Sequence, residues 1–77
     1  MTTTLIPLKW ETVINGRKKI ATTHFGTVYT IEKIESLGGW VTKITVPRAG
    51  TEVLVKGVSF ATSRKVATDD YVSNGGR

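Results

Sequence analysis

Leu8-Lys9-Trp10-Glu11-Thr12-Val13-Ile14-Asn15-Gly16-Arg17-Lys18-Lys19-Ile20-Ala21-Thr22-Thr23 is the stretch that decides the fold. Leu8, Trp10, Thr12 and Ile14 share one parity, the two-residue period of a strand that turns one face to a core. Asn15-Gly16 ends the run. That dipeptide takes positive φ at both positions at little cost, as a type I′ hairpin requires. The spacing therefore predicts two adjacent antiparallel strands, Leu8 to Ile14 and Lys18 to Thr23.

Working outward, the same rhythm continues. His24-Phe25-Gly26-Thr27 is the next tight connection. Val28 to Ile34 alternates, with Tyr29 and Ile31 on one side and Val28, Thr30 and Glu32 on the other. Glu35 to Gly39 is a loop. Trp40 to Val46 alternates again, Trp40, Ile44 and Val46 against Val41, Lys43 and Thr45. Pro47-Arg48-Ala49-Gly50 turns the chain, because proline cannot donate to a ladder. Val53 to Val55 is a short fifth strand at an edge. At Ser59 the period changes: Phe60, Ser63, Arg64, Ala67 and Tyr71 recur at helical spacing. Ser59 is placed to cap that helix, Thr62 leaves the capping box incomplete, and Asn74-Gly75-Gly76 stops it. The expected fold is α+β, an antiparallel β-meander of four to five strands with one C-terminal helix packed on one face. It forms a single small domain over residues 1–77, ordered from about residue 5 to residue 74 and frayed at both ends.

Composition sets the energetic terms. A chain of 77 residues buries only about 60% of its unfolded surface, and without cysteine it has no disulfide or thiolate metal site to supplement the core. Trp10, Phe25, Tyr29, Trp40, Phe60 and Tyr71 are therefore expected to stabilise from inside. Eleven Lys and Arg against six Asp and Glu give a net charge of +5, which favours anionic partners without bearing on fold. Only Arg17 to Lys19 forms a dense basic run. No apolar stretch approaches the roughly 20 residues that span a bilayer, and Met1 to Thr4 lacks signal-peptide character. The expectation is a soluble protein of the cytoplasm with no membrane partner.

Constellations for chemistry are few. His24 is the one histidine, with no cysteine to activate and no serine in a nucleophile motif. Asp69 and Asp70 are adjacent, but neighbours on a helix point about 100° apart and cannot share a proton or a water. Gly38-Gly39 and Gly75-Gly76 lack the Lys and Ser/Thr of a phosphate-binding loop. Sheet readers of single-stranded nucleic acid stack bases on exposed aromatics beside positive charge. Trp10, Tyr29 and Trp40 lie near Lys9, Lys43 and the basic hairpin, yet a thin domain needs those rings for its core.

Trp10, Ala21-Thr22-Thr23-His24-Phe25-Gly26, Tyr29-Thr30-Ile31, Gly38-Gly39-Trp40 and Ser59 through Asp70-Tyr71 together resemble a group of short proteins of unassigned function. These are encoded in prophages and temperate phages, often of alphaproteobacteria. The resemblance covers about residues 10–72 and implies a meander opening with Trp, a central Phe-Gly turn, a Gly-Trp strand and a closing helix. Ala61 and Thr62 depart from it, standing where acidic residues are usual, as does Ser63, where alanine is usual. The group has no catalytic residues to carry over. What the resemblance implies is a non-catalytic accessory protein that binds a host protein or ribonucleoprotein complex stoichiometrically, with anti-CRISPR inhibition of host defence as the category. Arg17, Lys18, Lys19, Lys43 and Arg48 are the expected contacts, on hairpin tips or an uncovered sheet face. No catalytic, cofactor-binding or metal-binding residue is expected. The alternative is low-specificity binding to DNA or RNA, and a homodimer through sheet edges or the uncovered face is left open.

Overall fold

The computed structural model describes residues 7–75. Strands β1 (Glu11–Ile14), β2 (Lys18–Thr22), β3 (Val28–Ile34), β4 (Gly39–Val46) and β5 (Gly50–Val58) precede helix α1 (Phe60–Ser73), with a 3₁₀ turn at Glu35–Leu37 between β3 and β4. The strands form one sheet in the order β1-β2-β3-β4-β5, antiparallel throughout. It is the α+β meander with a closing helix that the alternation implied.

The first strand, expected over Leu8 to Ile14 with one face to the core, begins at Glu11 and is exposed along its whole length, because it is the sheet edge beyond the helix; only Leu8 and Trp10, ahead of it, pack on the core. Two further elements differ from the sequence reading. The first hairpin is adjacent and antiparallel as expected, but its turn is not type I′. Among the described residues only Arg48 combines a side chain with positive φ, so Asn15 keeps negative φ while Gly16 stands at 73°. Arg17 N–H donates to the Ile14 carbonyl at 3.0 Å, which closes a type II turn with Gly16 at its third position. The pairing shifts between Thr12 and Ile14, and that bulge lets the wider turn fit the twist. The second difference is β5, nine residues long where a short edge strand was expected. Thr42 pairs with Val55 and Lys43 with Val53, leaving Leu54 extra; Trp40 then pairs with Val58, so a second residue is inserted near Gly57. Gly57 has a φ of 72°, the left-handed geometry of a glycine bulge. Bulges hide a long strand from an alternation test.

Register assigns the faces. Lys19 and Ala21 on β2, Tyr29, Ile31 and Lys33 on β3, and Trp40, Thr42 and Ile44 on β4 lie on one side. Lys18, Ile20, Val28, Thr30, Glu32, Val41, Lys43 and Thr45 lie on the other. Helix α1 rests on β3, β4 and β5. Its buried residues, Ser63, Ala67 and Tyr71, fall on the expected stripe, and the small pair lets its backbone approach the sheet. Tyr29, Ala67 and Tyr71 form the core cluster, with Leu8, Trp10, Ile44 and Leu54 packed around it. The Tyr29 and Tyr71 rings meet edge to face at 6.4 Å, and Phe60 packs on Trp40 at 4.8 Å. The buried Thr42 hydroxyl donates to the Ser63 carbonyl at 2.7 Å and meets the Ser63 hydroxyl, so a polar pair sits in the middle of the helix–sheet contact with its hydrogen bonds made.

Helix ends follow local chemistry. Ser59 Oγ accepts from Thr62 N–H at 3.2 Å, and Gly75 is left-handed beyond the last turn. Lys65 and Asp69 face solvent and approach to 4.0 Å. Asp70 accepts from the Tyr29 hydroxyl at 2.7 Å. Phe25 is also corrected: it is 67% exposed, because a residue at a turn tip belongs to neither sheet face. No helix of the described residues is long and apolar enough to cross a membrane. Of the expected frayed ends, Thr2 to Thr4 and Gly75 to Arg77, all but Gly75 lie outside the described residues, as do residues 5 and 6 of the expected ordered span.

Candidate functional site

Two surfaces emerge from this frame, one at an end of the sheet and one beside the helix. At the end, the β2–β3 and β4–β5 turns stand next to each other: a Cβ built on Gly26 would lie 3.5 Å from Pro47 Cγ. The β2–β3 turn is closed by three hydrogen bonds. Thr23 N–H donates to the Thr27 carbonyl at 2.8 Å, Gly26 N–H to the Thr23 carbonyl at 3.0 Å, and Thr27 N–H to Thr23 Oγ1 at 3.1 Å. Thr23 and Thr27 are buried beneath it, so the bend lifts His24 and Phe25 out, with their rings edge to face at 5.5 Å. The second turn is closed by Ala49 N–H on the Val46 carbonyl at 3.0 Å. Pro47 occupies its second position and Arg48 its third, with φ at 69°, where a type II turn favours glycine. Phe25, exposed Val46, Pro47 and Arg48 thus form an apolar tip carrying one cation.

The second surface is a groove of about 390 Å³ between the segment leading into β1 and helix α1, lined by Leu8, Lys9, Trp10, Lys19, Phe60 and Arg64. Lys19 reaches it because β2 extends past the helix edge, and its Nζ sits 5.6 Å from the Phe60 ring centre, in cation–π range. Trp10 and Phe60 are half-buried, and Lys9 and Arg64 are exposed.

The five residues singled out from the sequence do not form one site. Arg17 lies in the β1–β2 turn, 3.5 Å from Glu35. Lys18 and Lys43 share the face without the helix, where Lys43 approaches Glu32 at 3.9 Å. Lys19 points to the opposite face and enters the groove. Arg48 stands on the tip. The exposed Arg17 pair gains little and leaves its cation available to a partner. Arg64, read from the sequence only as part of the helical stripe, lines the groove, and Phe25, read as core, caps the tip. The signal for Phe25 was present, since a ring between His24 and Gly26 sits where the alternation stops.

His24 is on the tip and Asp70 is bonded to Tyr29, so they are not brought together, and neither lines the grooves beside the helix. No three His, Asp or Glu side chains of the described residues are grouped to hold a metal ion. Tyr29 is held neutral well above the ordinary phenol range, by burial first and then by its bond to Asp70 and that carboxylate's charge. Its hydroxyl ties β3 to α1.

Comparison of the chain with protein-family models, curated proteins and solved structures gives no significant match. The class that fold and surfaces define is a small basic α+β domain, a twisted antiparallel sheet with one helix on one face.

Proposed function

We propose that this protein is a non-catalytic phage or mobile-element accessory protein that acts in the host cytoplasm by stoichiometric binding to a host protein or ribonucleoprotein complex, in the manner of an anti-CRISPR inhibitor. The observation that supports it is the tip. A thin domain gains from every ring it buries, and fully burying a phenylalanine is worth about 1.5–3 kcal/mol. Phe25 is instead held in solvent on a hydrogen-bonded turn, and the neighbouring turn carries Arg48 in a strained conformation. An exposed aromatic and an arginine on two neighbouring turns have the composition of an interface hot spot, and strain kept at a surface turn fits a contact role. The phage resemblance supplies the host setting.

The test is plaque formation by a targeted phage on CRISPR-immune hosts of several types that express the protein. Wild type restores plaques on at least one type. Phe25→Ser and Arg48→Glu lose that effect while melting as cooperatively as wild type. Absence of rescue on every type sinks the anti-CRISPR role, and full rescue by Phe25→Ser removes the tip from it. A second reading, direct low-specificity binding of nucleic acid, is favoured by the groove.

A further inference from the structure

We propose that the groove beside the helix is a subsite for single-stranded nucleic acid, with a base against the open part of Trp10 and phosphates on Lys9, Lys19 and Arg64. This deepens the second reading and does not depend on the tip.

Charge is the first support. Three of the six lining residues are cationic and none is acidic. The ion pairs among the described residues use Arg17, Lys43 and Lys65, so Lys9, Lys19 and Arg64 have no carboxylate partner there. Cations converging on one hollow without counter-charge raise the local potential and attract anions. Lys19 is also pre-placed: its ammonium rests over Phe60, which fixes it in the wall at little further entropy cost.

The lining chooses among anions. An acidic peptide would use the cations and leave the ring of Trp10 idle. A nucleotide uses both, because base stacking on an aromatic side chain is worth about 1–3 kcal/mol and tolerates any sequence. Size argues for a single strand. The groove, about 390 Å³, is at the small end of ligand sites; it admits one nucleotide, and a duplex hides its base faces. A second hollow of about 350 Å³ shares Leu8, Trp10 and Arg64 and continues to Thr68 and Tyr71, which gives the next nucleotide a path along α1.

Fluorescence anisotropy of a labelled short oligothymidylate, at about 50 mM salt, tests this. Phe60→Ala is unsuitable, since Phe60 helps to hold the helix down. Lys9→Glu with Arg64→Glu changes two exposed side chains and should leave the melt intact. Wild type binds; the double variant binds at least about tenfold more weakly, and its log–log salt slope falls by about 1.4, two phosphates at about 0.7 each. Arg48→Glu, at the far end of the sheet, binds like wild type. In NMR spectra the Trp10 indole N–H shifts on binding more than that of Trp40. Wild-type binding that the double variant retains would keep the nucleic-acid reading and overturn the groove. Failure of wild type to bind overturns both, and equal affinity for duplex overturns the single-strand assignment.

Discussion

Replacing Tyr29 with Phe removes one oxygen from the structure and tests how the helix is tied to the sheet. Tyr29 is completely buried, and its hydroxyl donates to Asp70 Oδ2 at 2.7 Å. Hydrogen bonds to charged groups contribute about 1.5–3 kcal/mol. The low end applies, because half-buried Asp70 keeps solvent access and a bond from Asn74 Nδ2 at 3.2 Å. A loss of about 1.5 kcal/mol at neutral pH should lower Tm by about 6–12 °C in a domain of this size. The pH dependence sharpens the test. Burial, then the bond to Asp70 and its charge, raise the folded ionisation of Tyr29 above its ordinary value. A group raised in the folded state contributes fully below its unfolded value, near pH 10, and that contribution is lost as pH climbs from there toward the folded value. At pH 11 wild type should therefore have lost about 1.4 kcal/mol that the variant never had. Urea unfolding of both proteins at about pH 8 and pH 11 reads the difference. The stability gap should nearly close at the higher pH. A gap of the same size at both values would refute a buried, donating Tyr29.

Two further substitutions probe the sheet and the tip. In Gly39→Ala the new methyl would stand 2.7 Å from the Val58 carbonyl oxygen and 3.2 Å from Gly57 carbon; since these are backbone atoms, β4 and β5 must part, and a loss of about 1–3 kcal/mol is expected, read as a lower Tm that an unchanged melt would contradict. Arg48→Gly relieves the left-handed residue at 69° and should raise stability by about 0.5–1 kcal/mol while weakening partner binding, so a lower Tm would show that Arg48 is held by contacts that offset its strain.

How far the sequence could be read varies with the element. The bounds of β3 and the faces of β3 and β4 follow from strict alternation, because Tyr29 and Ile31 must share a side with Ile44 and Thr42 for either pair to be buried. Ser59 marks the start of α1 because its hydroxyl satisfies a first-turn N–H. The length of β5 was not legible, since each bulge shifts the parity and Gly57 resembles a turn. The density of Arg17 to Lys19 misled about space. Adjacent strand residues point to opposite faces, so Lys18 joins Lys43 on the open side while Lys19 goes to the groove. Composition also assigned all six rings to the interior, yet no face exists for a ring on a tight turn, and Phe25 is outside.

The groove itself follows from a mismatch in dimensions. Strands spaced about 4.8 Å apart make a five-stranded sheet roughly 20 Å across, whereas one helix with its side chains is about 10–12 Å wide. Helix α1 therefore covers β3 to β5 and cannot also cover β2. The chain fills part of the remainder by laying Leu8 and Trp10 against the core, and between those residues and the helix the sheet face stays partly open. An apolar residue at position 19 would have closed that gap and strengthened a thin core. Lysine there, with its ammonium resting over Phe60 and Arg64 across from it, keeps the hollow open and charged. Lys19→Leu should thus stabilise the fold if the gap is only a packing deficiency, and should abolish oligonucleotide binding if the hollow is used.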